Sequence, residues 1–359
     1  MAKELDTLRA KIDAIDIELL RLINERAAVA IEVGVLKRSS DADAVFYRPE
    51  REAEVLRRVL AQNPGPLPAP EAARLIREIM SACLALEHPL TVAYLGPEGT
   101  YTHLAALKHF GGAIKGIGVT SIDEVMREVA ADGAHYGVVP VENSLEGGIN
   151  QTLDALRESR LKICGEVVLN IHHQLLSVAS EMDDIKRVYA HPQALAQCRR
   201  WLGINLPGIE CLPSSSNGEA ARKVQGEADA AAIAGEVAAR LYGLSILRTN
   251  IEDEPGNTTR FVVIGAKSPL PSGRDVTSLM FTTPNRPGAL HEILSILAAE
   301  NISMTRIESR PLRREAWDYV FFVDIEGHAD VANIRDTLAL VEEKTSSLKI
   351  LGSYPRATI

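Results

Sequence analysis

The sequence predicts three folding units in series: an all-α unit of three helices at residues 1–89, an α/β unit at 91–267, and a small α+β unit of βαββαβ order at 276–355. Three observations carry this. The chain has 359 residues, too many for one ordinary core. Its apolar spacing is helical as far as Glu87. From Thr91 onward short apolar runs alternate with amphipathic segments, and their order changes after a Pro- and Gly-bearing linker, KSPLPSGRD, at 267–275.

In the first unit Leu5, Leu8, Ile12, Ile15, Leu19, Leu22 and Ile23 recur at helical spacing without a proline, which predicts one helix from residue 5 to about 37. At 1.5 Å per residue it is about 50 Å long, wider than a small domain, so pairing with a second chain is expected. Ser39 to Asp43 reads as a polar loop. Pro49 opens a second helix to about Gln62, the run Asn63-Pro64-Gly65-Pro66-Leu67-Pro68 breaks it, and Pro70 opens a third that ends near Glu87.

In the second unit TVAYL (91–95) is a strand, GPEGT (96–100) a turn and YTHLAALKHF (101–110) a helix. Ser121-Ile122-Asp123-Glu124 is a capping box before another helix. YGVVPV (136–141) reads as a strand, GINQTLDALRES (148–159) as a helix, and residues 163–179 as strand-forming. RVYA (187–190) is a strand and PQALAQCRRWL (192–202) a helix. GEAARKV (218–224) and IAGEVAARLYG (233–243) read as helices, and RFVVIG (260–265) as a strand. In the third unit VTSLMFTT, ISMTRIESR, WDYVFFVDIE and LKILGSY are strands. Residues 287–300 and 331–343 are helices, which gives a ferredoxin-like order.

Composition narrows the function. Apolar residues are 46% and charged residues 24%, as in soluble globular proteins. The net charge of -9 repels nucleic acid and anionic membranes, and 4% aromatics leave little to stack on bases. Cys83, Cys164, Cys198 and Cys211 form no CxxC pair, and His172-His173 is not flanked by one. They read as buried thiols of a reducing compartment, with no metal site. The charged N-terminus lacks a signal-peptide core and no apolar run would span a bilayer, so the cytoplasm is expected.

Several polar residues stand out. Arg9, Arg26 and Lys37 lie on the first helix, and Arg48, Arg51 and Glu52 open the second. Arg26 and Lys37, eleven residues apart, share a face from which Arg9 points away. On pattern alone, solvated surface charge is the plainer reading. In the second unit GPEGTYTHLAA (96–106), VVPVENSLEGGINQT (138–152), HPQALAQC (191–198) and GNTTRF (256–261) each put polar groups at a strand end or helix start, where backbone amides bind anions. None is a P-loop or a dinucleotide fingerprint. Singly, each is also turn or capping chemistry.

The segment LRAKIDAIDIELLRLINERAAVAIEVGVLK (8–37) with YRPERE (47–52) resembles the all-helical chorismate mutases. The resemblance implies a dicarboxylate held between the helices of an interlocked dimer. Arg26 and the Arg9 of a second chain would hold the carboxylates, Lys37 the ether oxygen and Glu52 the hydroxyl, with Arg48 and Cys83 at site positions. Glu87 stands where familiar members have Gln. A carboxyl donates a hydrogen bond only when protonated, so mutase activity is expected to fall as pH rises. A Claisen rearrangement needs a held conformer and a stabilised ether oxygen, not a nucleophile or cofactor.

The four segments of the second unit, in this order and spacing, resemble prephenate dehydratase over residues 91–265. That implies two lobes like those of periplasmic binding proteins, with substrate in the cleft. Thr259 of Thr-Arg-Phe would be essential, and Gly99, Thr100, Asn143, Ser144 and Arg260 would line the cleft. Thr259 would donate to the departing oxygen, and Glu142 or His191 would supply the proton. NRPGALHEIL (285–294) and TRIESRP (305–311) resemble the ligand segments of ACT domains in phenylalanine-regulated dehydratases. Gly288, Ala289, Leu290 and His291, with Glu308, Ser309, Arg310 and Pro311, would then bind phenylalanine between two such units. The expectation is a feedback-inhibited homodimer or tetramer that converts chorismate to prephenate and prephenate to phenylpyruvate.

Overall fold

The computed structural model describes residues 2–40, 45–311 and 319–357. Asp41 to Asp43 of the expected polar loop, and Trp317 and Asp318 of an expected strand, lie outside the described residues.

The first unit is helices α1 (Ala2–Ser40), α2 (Pro49–Gln62) and α3 (Ala69–Glu87). Prolines at the first turns of α2 and α3 cost no hydrogen bond there and preset the backbone. Among the described residues α1 packs on α3 near its C-terminal end. Gly34 is buried, whereas Leu8, Ile12, Ile15, Leu19 and Leu22 are 47–58% exposed. A stripe of this kind left in water has the pattern of a helix–helix seam. Gly34 permits the one close approach: a Cβ there would lie 2.6 Å from Glu87 Cγ.

The second unit has two lobes. The first comprises β1 (Thr91–Leu95), α4 (Tyr101–Phe110), β2 (Lys115–Val119), α5 (Ile122–Ala130), β3 (Tyr136–Asn143), β4 (Gly147–Gly148), α6 (Asn150–Glu158) and β5 (Lys162–Asn170). The second comprises β6 (Gln174–Ser177), β7 (Arg187–Ala190), α7 (Pro192–Gln197), α8 (Arg199–Asn205), β8 (Glu210–Pro213), α9 (Asn217–Val224), β9 (Ala230–Ala234), α10 (Glu236–Tyr242) and β10 (Ser245–Arg248). The chain then returns to the first lobe as β11 (Thr258–Gly265). The sheets run β2-β1-β3-β11-β5, with β4 on β3, and β10-β6-β9-β7-β8. Residues 171–173 and 249–257 are therefore the two crossovers between lobes.

Two expected helices differ. The helix predicted from Ile233 starts at Glu236, because Ala230–Ala234 is a central strand with every residue at 0% exposure. The helix predicted over 192–202 is divided at Cys198 into α7 and α8.

The third unit is β12 (Asp275–Thr282), α11 (Ala289–Ala299), β13 (Met304–Pro311), β14 (Tyr319–Glu326), α12 (Ala332–Lys344) and β15 (Ser347–Pro355). Its antiparallel sheet runs β13-β14-β12-β15. One face packs on its own helices through Phe281, Ile293, Leu297, Val323 and Leu338. The other shares a core with the first lobe, where Val320, Phe322 and Tyr354 meet Val141, Leu156 and Val262. The third unit thus lies against the sheet that contains β11.

Candidate active sites

Lys37 leaves the end of α1 toward the last turn of α3. Its Nζ donates to Glu87 Oε1 at 2.7 Å and to the Phe46 carbonyl at 3.2 Å. It lies 5.5 Å from the centre of the Phe46 ring, which stacks on His88. Arg38 Nη1 donates to the Glu87 carbonyl at 2.7 Å. Glu87 and Cys83, one turn apart on α3, are both buried. Arg26 is exposed on α1. Arg9, paired with Asp6 at 3.7 Å, lies 28 positions before Lys37, about 42 Å along the axis. It cannot reach the Lys37 of its own chain. Arg48 Nε donates to Glu50 at 2.7 Å.

Glu52 does not join Lys37, contrary to the sequence expectation. Its Oε1 accepts from Arg77 Nε at 3.2 Å in a small cavity lined also by Tyr47, Lys108, His109 and Cys164. The reason is helical spacing: Pro49, Ala53 and Leu56 form the buried face of α2 and carry Glu52 inward against the first lobe. Burial pushes its carboxyl up to about 7, against the pull of Arg77. Burial likewise holds His109, whose Nε2 lies 3.1 Å from the Tyr47 hydroxyl, down to about 3.

The close approach at Gly34 gives a test of the Lys37–Glu87 geometry. Gly34→Ala must displace the Glu87 side chain. A misplacement approaching 1 Å is expected to cost up to roughly 100-fold in the rate of a reaction using that pair, with the distant cleft unaffected. Parallel rate assays at the two sites measure it.

In the α/β unit β11 pairs antiparallel with β3, Thr259 opposite Asn143 and Arg260 opposite Glu142. Side chains alternate across a sheet, so the two pairs point to opposite faces. Asn143 Nδ2 donates to Thr259 Oγ1 at 2.8 Å and to Asn257 Oδ1 at 2.7 Å. Asn257 Nδ2 donates to Gln197 Oε1 at 3.2 Å, and His173 Nε2 lies 2.8 Å from the same oxygen. Groups from both lobes and both crossovers therefore converge on Thr259, which is itself buried.

The surrounding residues are largely structural anchors. Ser144 Oγ accepts from the Thr258 N–H at 2.9 Å. Gly99, at φ +84°, leaves room for the 96–100 turn to reach Ala238 and Tyr242 of the second lobe. There the Tyr242 hydroxyl donates to the Glu98 carbonyl at 2.9 Å. Thr100 caps α4, accepting from the His103 N–H at 3.3 Å. His191 caps α7: its Nδ1 accepts from the Gln193 N–H at 3.3 Å, which leaves the ring proton on Nε2.

Arg260 and Glu142, expected in the cleft, face the third unit instead. Arg260 binds Glu166 at 2.9 Å, Asp324 at 2.6 Å and the Tyr354 hydroxyl at 2.9 Å. Glu142 pairs with Arg306 at 2.9 Å. The period-two alternation of β3 and β11 was the signal that separates them from Asn143 and Thr259.

Gly288, Ala289, Leu290 and His291 line an open pocket of about 330 Å³ with Arg286, Tyr319 and Phe321. Gly288, at φ +83°, provides the left-handed turn into α11. The side chains of Glu308 and Arg310 are committed elsewhere. Glu308 pairs with Arg306 and fills the space beside Gly148, where a Cβ would collide with its carboxylate. Arg310 donates to the Asn150 carbonyl and to Asp154, both at 3.0 Å. Ser309 and Pro311 are exposed. Alternation along β13 explains the split: Arg306, Glu308 and Arg310 share the face toward the first lobe.

Three family models match the chain: chorismate mutase type II over residues 8–88, prephenate dehydratase over 92–269 and the ACT domain over 277–339. The bifunctional chorismate mutase/prephenate dehydratase of Pseudomonas aeruginosa is 51% identical over 360 residues, covering 99% of each chain. The chain belongs to this bifunctional family. Among solved structures it is similar to a prephenate dehydratase from Arthrobacter aurescens in complex with L-Phe, at 35% identity and TM-score 0.68, covering 75% of this chain and 90% of that one. It is also similar to GqqA, described as a novel type of quorum quenching acylase, at 31% identity and TM-score 0.67, covering 74% and 98%. The helical unit is the mutase domain, the two lobes are the dehydratase domain, and the third unit is the ACT domain.

The cleft residues that the sequence did not single out are Tyr101, His173, Gln197 and Asn257. Gln197 lies inside the HPQALAQC segment, but its helix position gave no hint of its target. The ACT-facing lock of Arg260 also has a measurable consequence. Arg260→Leu leaves Asp324 and Glu166 buried without their cation. A loss of about 3–5 kcal/mol in stability is expected, seen as a lowered thermal midpoint of the full chain.

Proposed function

We propose that this chain converts chorismate to prephenate at the mutase domain and prephenate to phenylpyruvate in the dehydratase cleft, and is inhibited by L-phenylalanine bound to the ACT domain. The observation that carries the dehydratase assignment is the Asn143–Thr259 pair, set where both crossovers meet. Thr259 accepts from Asn143, so its own proton is available to another group.

In the mutase, Lys37 and protonated Glu87 stabilise the negative charge that develops on the breaking ether oxygen. Arg26 holds one substrate carboxylate, and Arg9 of a second chain holds the other. The exposed stripe on α1 supports that dimer. Arg48 and Cys83 flank the same site.

In the dehydratase, carbon dioxide and hydroxide leave together as the ring becomes aromatic. Thr259 and the Nε2–H of His191 donate hydrogen bonds to the departing oxygen, which leaves as hydroxide and takes its proton from water, because Glu142 is paired with Arg306. Phenylalanine is held at Gly288, Ala289, Leu290 and His291, while the Glu308 and Arg310 contacts tie the ACT strand to the dehydratase loop at 147–150. Neither reaction calls for a metal or cofactor, and the enzyme works in the cytoplasm.

The test is to supply chorismate to the full chain and follow prephenate and phenylpyruvate with and without phenylalanine. Both products should form, and phenylalanine should suppress the second. A chain that leaves chorismate and prephenate unchanged sinks the assignment.

A further inference from the structure

We propose that His173 is a positioning residue of the dehydratase, acting through a one-way chain of hydrogen bonds that fixes the Thr259 hydroxyl as a donor to the leaving oxygen. The proposal rests on the dehydratase reading above and adds a residue and a proton arrangement to it.

The direction of the chain is set at the backbone. Asn143 Oδ1 lies 3.0 Å from the Leu145 N–H and 3.3 Å from the Glu146 N–H. A backbone N–H only donates, so the atom it reaches is the amide oxygen, and the Asn143 side chain cannot be turned over. Its Nδ2 must therefore donate to Asn257 and to Thr259. Asn257 then accepts through Oδ1 and presents Nδ2 to Gln197. The Gln197 oxygen has no hydrogen to give, so His173 must meet it as Nε2–H. His173 Nδ1 is left bare, 2.9 Å from the Tyr101 hydroxyl, whose single proton also faces the His172 carbonyl at 2.7 Å. Each amide orientation and the imidazole tautomer follow from the group before.

Two consequences bear on the reaction. Thr259 Oγ1 is an acceptor toward Asn143, and among the described residues no protein acceptor meets its own proton. That proton is free for the leaving oxygen. The Gln197 amide, in turn, is held by two donors, His173 from one crossover and Asn257 from the other. His173 and Asn257 are 2% and 3% exposed, so water is poorly placed to substitute for either. Burial also lowers the His173 pKa, which favours the neutral ring with a single proton. Without His173, the Gln197 amide can rotate, Asn257 follows, and the acceptor side of Thr259 loses its fixed partner.

The test exploits the two ends of imidazole. A Gln side chain places its amide nitrogen near where Nε2 was, whereas Asn reaches only the Nδ1 position. His173→Asn is expected to lower dehydratase kcat by roughly 30- to 100-fold, as for a catalytic group displaced by about 1 Å, with KM nearly unchanged. His173→Gln should recover most of that loss. Equal losses in both variants, or an unchanged kcat in His173→Asn, would overturn the proposal. A second measurement needs no variant to fold. In the wild-type chain carrying ¹⁵N-labelled histidine, the His173 signal should report a protonated Nε2 and a bare Nδ1; the opposite tautomer overturns the proposal. Failure of the dehydratase reading is distinguishable, since it would show as no phenylpyruvate from wild-type protein whatever the tautomer.

Discussion

Replacing Thr259 with valine is expected to lower dehydratase kcat by about 100- to 1000-fold, with KM and mutase turnover little changed. Valine keeps the shape of a side chain that is only 8% exposed, so the packing around β11 survives and only the hydroxyl is lost. The hydroxyl matters most when charge builds on the departing oxygen. A hydrogen bond that strengthens in the transition state affects kcat, while one made equally to bound substrate affects KM. Thr259→Ser retains the donor and should recover much of the activity. The measurement is prephenate-dependent phenylpyruvate formation, run beside a chorismate assay on the same preparation. If the valine variant keeps more than about a tenth of wild-type kcat, Thr259 is not the donor that the departing oxygen uses.

The residues that misled a sequence reading did so for identifiable reasons. The mutase helices and the βαββαβ unit were legible because their apolar spacing and their prolines agree with the structure. Ala230–Ala234 was not, because alanine is the best helix former in isolation. Here tertiary burial overrides that preference, and four alanines and Ile233, all fully buried, make a central strand between β6 and β7. Lys115–Val119 was overlooked because its glycines dilute any strand signal, yet it pairs in full register with β1. Thr-Arg-Phe and Glu-Asn-Ser were found as motifs, but reading each as a single block merged two faces. Thr259 and Asn143 face the cleft, while Arg260 and Glu142 face the ACT domain. Glu52 failed similarly: its helix position matched the mutase pattern, but the buried side of α2 is claimed by the dehydratase domain. Contacts between domains carry no local periodicity, so no window along the chain records them.

The response of the mutase to Glu87→Gln is the second large effect expected. In the structure Glu87 is a buried acid whose Oε1 accepts from Lys37 at 2.7 Å, with Arg38 on its carbonyl. An ionised carboxylate offers only acceptors, and an acceptor facing the ether oxygen opposes the charge that must develop there. The proposed mutase mechanism therefore calls for a hydrogen-bond donor at position 87. Glu87→Gln supplies a permanent donor of nearly the same shape. Its mutase kcat/KM at neutral pH should exceed the wild-type value by about 10- to 100-fold, as for one transition-state donor gained. The dehydratase activity of the same variant should be unchanged, because Lys37, Arg38 and Gly34, which Glu87 meets, all belong to the mutase domain. A Gln variant no faster than the wild type would show that the ether oxygen takes its hydrogen bond from another group.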